Sequence, residues 1–165
     1  MKDIAGEFGS NPNSAADLPS TSRSRDGSPD RYLIVLVEDN PADVFLVHEA
    51  IAAHHVPASL VVIRDGEEAI RLISRADADE NAPCPQLFLL DLNIPNRNGE
   101  EVLAHIRKSA RCKTTPVVIM TSSDSPRDRA AAQSLGANRY FRKPSDYDAF
   151  LTVGELIKEM LGSNQ

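Results

Sequence analysis

The chain has 165 residues and a formal net charge of -6, with its charged residues dispersed along the sequence rather than gathered into a basic stripe. That length is the range of one compact domain, and the charge pattern supplies no footprint for neutralising nucleic-acid phosphates. No apolar run approaches the roughly 20 residues that span a bilayer, and the N-terminus lacks the apolar stretch of a secretory signal, so the reading is a cytoplasmic protein with no membrane or nucleic-acid partner.

Residues 1–31 are rich in Ser, Asp, Pro, Gly, Asn and Arg and hold no sustained apolar periodicity, so they are expected to form a disordered leader. Glu7 to Ser10 reads like translated cloning sites, which would make part of this leader an expression scar; a native flexible tail is the alternative. The domain itself is expected over 32–162. Five short apolar runs follow, Tyr32 to Val37, Leu60 to Ile63, Leu87 to Leu90, Val117 to Met120 and Arg139 to Phe141. Their spacing leaves room for one helix between successive strands. The first, third and fourth are almost wholly apolar, as strands covered on both faces must be, so the pattern predicts a (βα)5 α/β unit with a parallel sheet.

Helix signals occupy the gaps. Asn40-Pro41 is an N-cap followed by Pro at the first helical position, and Asp65 with Glu68 has the spacing of a capping box. Gly99 opens a segment with Val102, Leu103 and Ile106 on one face. Ser125-Pro126 opens another that Gly136 closes, and Asp146 caps a single last helix carrying Phe150, Val153, Ile157 and Met160. Only Gly162 to Gln165 remain, so no output domain is expected after the last helix. Cys84 and Cys112 match no metal-ligand spacing and are expected to be reduced and incidental. His48, His54, His55 and His105 have no partners at ligand spacing and are expected at the surface or at helix ends.

In an open parallel sheet, ligands bind outside the carboxyl ends of the strands. Glu38-Asp39 follow the first strand, Asp91 the third, Thr121-Ser122 the fourth and Lys143-Pro144 the fifth. Carboxylates brought together there repel unless a cation compensates, and a carboxylate-rich cup without His or Cys suits Mg²⁺. Asp91, on the central strand, can then act as a nucleophile toward phosphorus, with Lys143 and the Thr121 hydroxyl facing the phosphoryl oxygens. Taken singly, each feature reads better as a helix cap or a solvated turn than as a site. Their occurrence after successive strands in the right order is what carries the functional reading.

These residues resemble those of two-component response-regulator receiver domains over nearly all of 32–161. The resemblance implies a flavodoxin-like, doubly wound five-stranded sheet of order 2-1-3-4-5. It also implies that Asp91 is the phosphoacceptor, that Glu38, Asp39, Asp91 and the backbone carbonyl of Asn93 hold the metal, and that Thr121 and Tyr140 are the switch pair. Lys143 is similar to the family's lysine, and Pro144 would follow a cis peptide bond, which for X-Pro costs only about 0.5–1 kcal/mol. The Val37 to Asp43 and Arg64 to Gly66 stretches look closest to single-domain regulators of phytochrome-type histidine kinases. The implied partners are a sensor histidine kinase, a downstream protein or phosphotransfer protein, and a second copy of the chain through the fourth helix, fifth strand and fifth helix. A haloacid-dehalogenase-type phosphatase is disfavoured because position 93, where its general acid-base Asp would stand, is Asn. A phosphorylation-independent binding module would have no need of all five of Glu38, Asp39, Asp91, Thr121 and Lys143.

Overall fold

The computed structural model describes residues 31–162. The order is β1 (Tyr32–Val37), α1 (Pro41–Ala53), β2 (Ala58–Ile63), α2 (Gly66–Ala78), β3 (Leu87–Leu90), α3 (Gly99–Lys108), β4 (Val117–Thr121), α4 (Pro126–Ser134), β5 (Arg139–Arg142), α5 (Tyr147–Leu151) and α6 (Val153–Gly162). The strands form one sheet of order β2-β1-β3-β4-β5, parallel throughout. This is the doubly wound flavodoxin-like arrangement, and its switch point lies between β1 and β3, where the chain stops building toward β2 and begins building toward β5.

Side chains that alternate along each strand feed two cores. Val35, Val37, Phe88 and Leu90 pack with Leu72, Ile73, Val102, Leu103 and Ile106 of α2 and α3. Ile34, Leu36, Leu87 and Leu89 pack on the other face with Val47, Phe150, Val153 and Ile157 of α1, α5 and α6. Phe88, Leu90, Ile34 and Leu36 are buried to 1% exposure or less, so each contributes about 1.5–3 kcal/mol of transfer free energy. That two-sided burial explains why β1, β3 and β4 read as unbroken apolar runs. The outer strand β5 has exposed ends, Arg139 and Arg142, as befits an edge.

The expected caps are present. The Asn40 side chain accepts from the Ala42 N–H, and Asp65 from the N–H groups of Glu67 and Glu68. The fully reciprocal capping box is made one helix later, by Asn98 and Glu101. Gly136, at φ +98°, ends the α4 region in a backbone conformation that a β-carbon disfavours.

Two expectations are corrected. The last helix is broken at Thr152, whose hydroxyl donates to the Ala149 carbonyl at 2.6 Å and so competes with the backbone ladder, leaving α5 and α6 as separate segments. Cys84 and Cys112 are joined in a disulfide with Cα atoms 5.6 Å apart. The α2–β3 and α3–β4 connections lie side by side at the amino ends of the strands, a proximity that a separation of 28 residues does not reveal. The same junction is tied by Arg111 to the carbonyls of Asp79 and Ala82, by the Ser109 hydroxyl to Asp77, and by the Thr115 hydroxyl to the Pro85 carbonyl. The leader expected over 1–31 lies, apart from Arg31, outside the described residues. Among the described residues no helix is long and apolar enough to cross a membrane.

Candidate functional site

The ends of β1, β3 and β5 converge on one cup. Glu38 leaves β1 with its N–H on the Ile63 carbonyl at 2.8 Å, and Asp91 leaves β3 with its N–H on the Val37 carbonyl at 3.0 Å. The sheet ladder thus delivers both carboxylates to the switch point. Glu38, Asp39 and Asp91 each offer an oxygen within 4.8 Å of the others; Glu38 and Asp91 are buried and Asp39 is exposed. Lys143, following β5 with its N–H on the Thr121 carbonyl at 2.8 Å, sends its ammonium into this cup. It donates to Glu38 Oε1 at 2.6 Å, Asp43 Oδ2 at 2.8 Å and Asp91 Oδ2 at 3.0 Å.

Burial opposes the charge on Lys143, but its hydrogen bonds to the Asp43 and Glu38 carboxylates and the charge of Asp91 outweigh it and hold the ammonium above its ordinary pKa. The carboxylates outnumber the one ammonium, and the excess falls on the deepest of them. Burial first, with the Asp91 charge in support, pushes Glu38 up to about 7, against the pull of Lys143. Such a cup has the chemistry of a hard-cation site: three converging oxygens, unbalanced negative charge, and no His or Cys donor.

The loops around the cup are tightly built. The Asn93 N–H donates to Asp91 Oδ1 at 3.1 Å, and the Asn40 N–H donates to Glu38 Oε2 at 3.1 Å. Gly99 permits the β3–α3 loop to fold back, because a β-carbon there would lie 2.3 Å from the Asp91 carbonyl oxygen and 2.6 Å from Leu92 Cα. Thr121 is fully buried and is the last residue of β4, one position further than the sequence places the strand end; its hydroxyl accepts from the Ser123 N–H at 3.2 Å. The Ser123 hydroxyl in turn donates to Asp128 on α4 at 2.5 Å. Tyr140 is half-buried, donates to the Ser123 carbonyl at 3.2 Å, and lies under the Arg129 guanidinium at 4.2 Å from its ring centre.

The cis bond expected before Pro144 is not present. Every peptide bond among the described residues is trans, including Lys143-Pro144. Trans is the favoured form of an X-Pro bond, if only by about 0.5–1 kcal/mol, and the trans chain already carries Lys143 into the cup. Asp43 is the site residue that the sequence reading left without a role. It stands in the first turn of α1 and its side chain is 20% exposed. The signal was available, since a carboxylate five residues after Glu38, within the first turn beyond the Asn40 cap, faces the same sheet edge. The histidines stand at the periphery: His48, His55 and His105 are exposed, and His54 caps α1 with its ring nitrogen 3.0 Å from the Leu151 carbonyl oxygen.

A doubly wound sheet with a carboxylate cup and an inward lysine at its switch point is the architecture of receivers, and the family model of the response regulator receiver domain matches residues 34–153. The chain belongs to that family and is a receiver of phosphorelay signalling. Among known proteins it is similar to the response regulator Rcp1 of Synechocystis sp., with 40% identity over 111 residues, covering 67% of this chain and 76% of that one. It is also similar to the phosphorylated cyanobacterial phytochrome response regulator RcpA, with 36% identity, 82% of this chain and 96% of that chain covered, and a TM-score of 0.73. The Mn²⁺-bound form of Rcp1 superposes with a TM-score of 0.69 at 35% identity, covering 78% of this chain and 92% of that one. Receiver domains bind a divalent metal at this acidic pocket and work with sensor histidine kinases.

Proposed function

We propose that Asp91 accepts a phosphoryl group from the phosphohistidine of a phytochrome-type sensor kinase and stores it as an aspartyl phosphate. The observation that carries this reading is the Lys143 ammonium 3.0 Å from Asp91 Oδ2, inside a cup that also holds the Glu38 and Asp39 carboxylates within 4.8 Å of Asp91. A carboxylate oxygen of Asp91 attacks phosphorus, the phosphorus–nitrogen bond of the donor breaks, and the imidazole leaves with a proton. Lys143 neutralises charge on the phosphoryl oxygens, and the Thr121 hydroxyl donates to one of them after giving up the Ser123 N–H. Glu38, Asp39, Asp91 and the Asn93 carbonyl are the groups that would hold Mg²⁺, which supplies further positive charge to the transferring phosphoryl group when bound.

Asn93 has no acid-base chemistry at neutral pH, so the chain activates no water from that position and acts on no substrate beyond its own transfer and slow dephosphorylation. When Thr121 turns to the phosphate, the Ser123 segment that it and Tyr140 both hold loses one of its ties. Tyr140 then repacks inward and alters the surface formed by α4, β5 and the final helical pair α5 and α6. That surface is the output face, for a downstream protein, a phosphotransfer protein or a second copy of the chain. The receiver unit is 32–162, and the cytoplasm is the compartment in which the kinase would meet it.

The test is intact mass after incubation with acetyl phosphate. A gain of one phosphoryl that requires Mg²⁺ and is absent in Asp91→Asn is expected. Equal labelling of that variant would remove Asp91 as acceptor, and release of phosphate over many turnovers would favour the phosphatase.

A further inference from the structure

Lys143 has three acceptors in the cup, and they are not equivalent. Glu38 and Asp91 belong to the set of carboxylates that can converge on a cation, whereas Asp43 does not. Asp43 also differs in its support. It is carried by the first turn of α1, a helix anchored in the core by Val44, Val47 and Ala50, so its carboxylate is held by a rigid element rather than by a loop at the strand ends. The Lys143 side chain is only 6% exposed. An ammonium buried to that degree is costly without an acceptor.

From this division we infer that Asp43 is a positioning residue for Lys143. It is the acceptor that keeps the ammonium pointed into the cup when Glu38 and Asp91 turn their oxygens to a divalent cation. Without Asp43, committing those two carboxylates would strand the buried ammonium, or send the side chain out of the cup and away from the phosphoryl position. The inference rests on the phosphorelay reading above and adds a residue to it. A merely structural role for Asp43, as an acidic group favourable at a helix N-terminus, predicts no dependence on Lys143.

That dependence is measurable without phosphorylation. Mg²⁺ affinity is determined by calorimetric titration for the wild type, Asp43→Ala, Lys143→Met and the double variant, with folding verified by circular dichroism. Asp43→Ala is expected to weaken Mg²⁺ binding about tenfold when Lys143 is present and to have little effect when position 143 is Met, a coupling typical of close charge pairs. The lysine ammonium resonances in ¹H–¹⁵N spectra supply a second readout. The Lys143 signal, assigned by its loss in Lys143→Met, should survive saturation with Mg²⁺ in the wild type and in Asp43→Asn, which keeps an acceptor oxygen, and should vanish on saturation in Asp43→Ala.

Equal weakening in both backgrounds would mean that Asp43 contributes only its charge, and would overturn the inference. Persistence of the signal in Mg²⁺-saturated Asp43→Ala would do the same. Failure of the wild type itself to bind Mg²⁺ would instead strike at the phosphorelay reading, so the two failures are distinguishable.

Discussion

Reduction of the Cys84–Cys112 bridge should cost stability without disturbing the cup. The bridge closes a loop over a sequence separation of 28 residues, which in the chain-entropy model restricts the unfolded ensemble by about 3.5 kcal/mol. In the folded state the same junction remains held by Arg111 to Asp79 and Ala82, at 2.9 and 2.7 Å, and by Ser109 to Asp77 at 2.6 Å. The loss should therefore arise in the unfolded chain, and the native loops should keep their places. For a domain of this size the expected fall in Tm is roughly 10 °C. The assay is urea and thermal unfolding followed by circular dichroism, with and without reductant, and free thiols counted by mass after alkylation. Cys84→Ser gives the same comparison without reductant, since Cys84 is only half-buried. Because the bridge lies at the amino ends of the strands and the cup at their carboxyl ends, phosphorylation of the reduced protein should be unchanged. An unchanged unfolding midpoint with both thiols free would refute the entropic argument, and loss of labelling on reduction would refute the claim that the two ends are independent.

Three further outcomes follow from the cup. Glu38 is pushed from 4.5 to about 7, so the folded state binds its proton more tightly than the unfolded chain does; its contribution to stability is full below 4.5 and is lost as pH rises to about 7. Urea midpoints in chelator should therefore decline more steeply across that window for the wild type than for Glu38→Gln, and a parallel pair of curves would contradict the assignment. Lys143→Met leaves the buried Glu38 and Asp91 carboxylates without a counter-charge and should destabilise the metal-free protein by about 3 kcal/mol at neutral pH, with added Mg²⁺ restoring much of it; chemical unfolding with and without Mg²⁺ measures both. Gly99→Ala should cost about 1–3 kcal/mol and slow labelling by acetyl phosphate at least about tenfold, because the new methyl meets the Asp91 carbonyl and must shift the loop that carries the acceptor.

The sheet and the cup were legible in the sequence because both rest on strong local signals. The unbroken runs of β1, β3 and β4 are burial on two faces, and side chains at the carboxyl ends of parallel strands meet as a consequence of topology. Two of the features that escaped are contacts between segments far apart in sequence. Asp43 meets Lys143 across 100 positions, and no periodicity links them. Cys84 and Cys112 lie in connections whose adjacency depends on the strand order. Thr152 interrupts a helical pattern through one hydroxyl, too small a feature for the spacing of Phe150, Val153, Ile157 and Met160 to register. The cis bond before Pro144 was an inference from resemblance alone, and the small energy between the two isomers left it without local support.

Whether Asp91 carries the phosphoryl group is decided by locating the modified side chain itself. Protein phosphorylated by acetyl phosphate in Mg²⁺ is reduced with borohydride, which converts an aspartyl phosphate to homoserine, and is then sequenced by tandem mass spectrometry. The expected product is homoserine at position 91 alone, with the mark absent when Mg²⁺ is withheld. Homoserine at position 39 or 43 with Asp91 untouched, or a phosphoryl group found on Thr121 or a histidine, would contradict it.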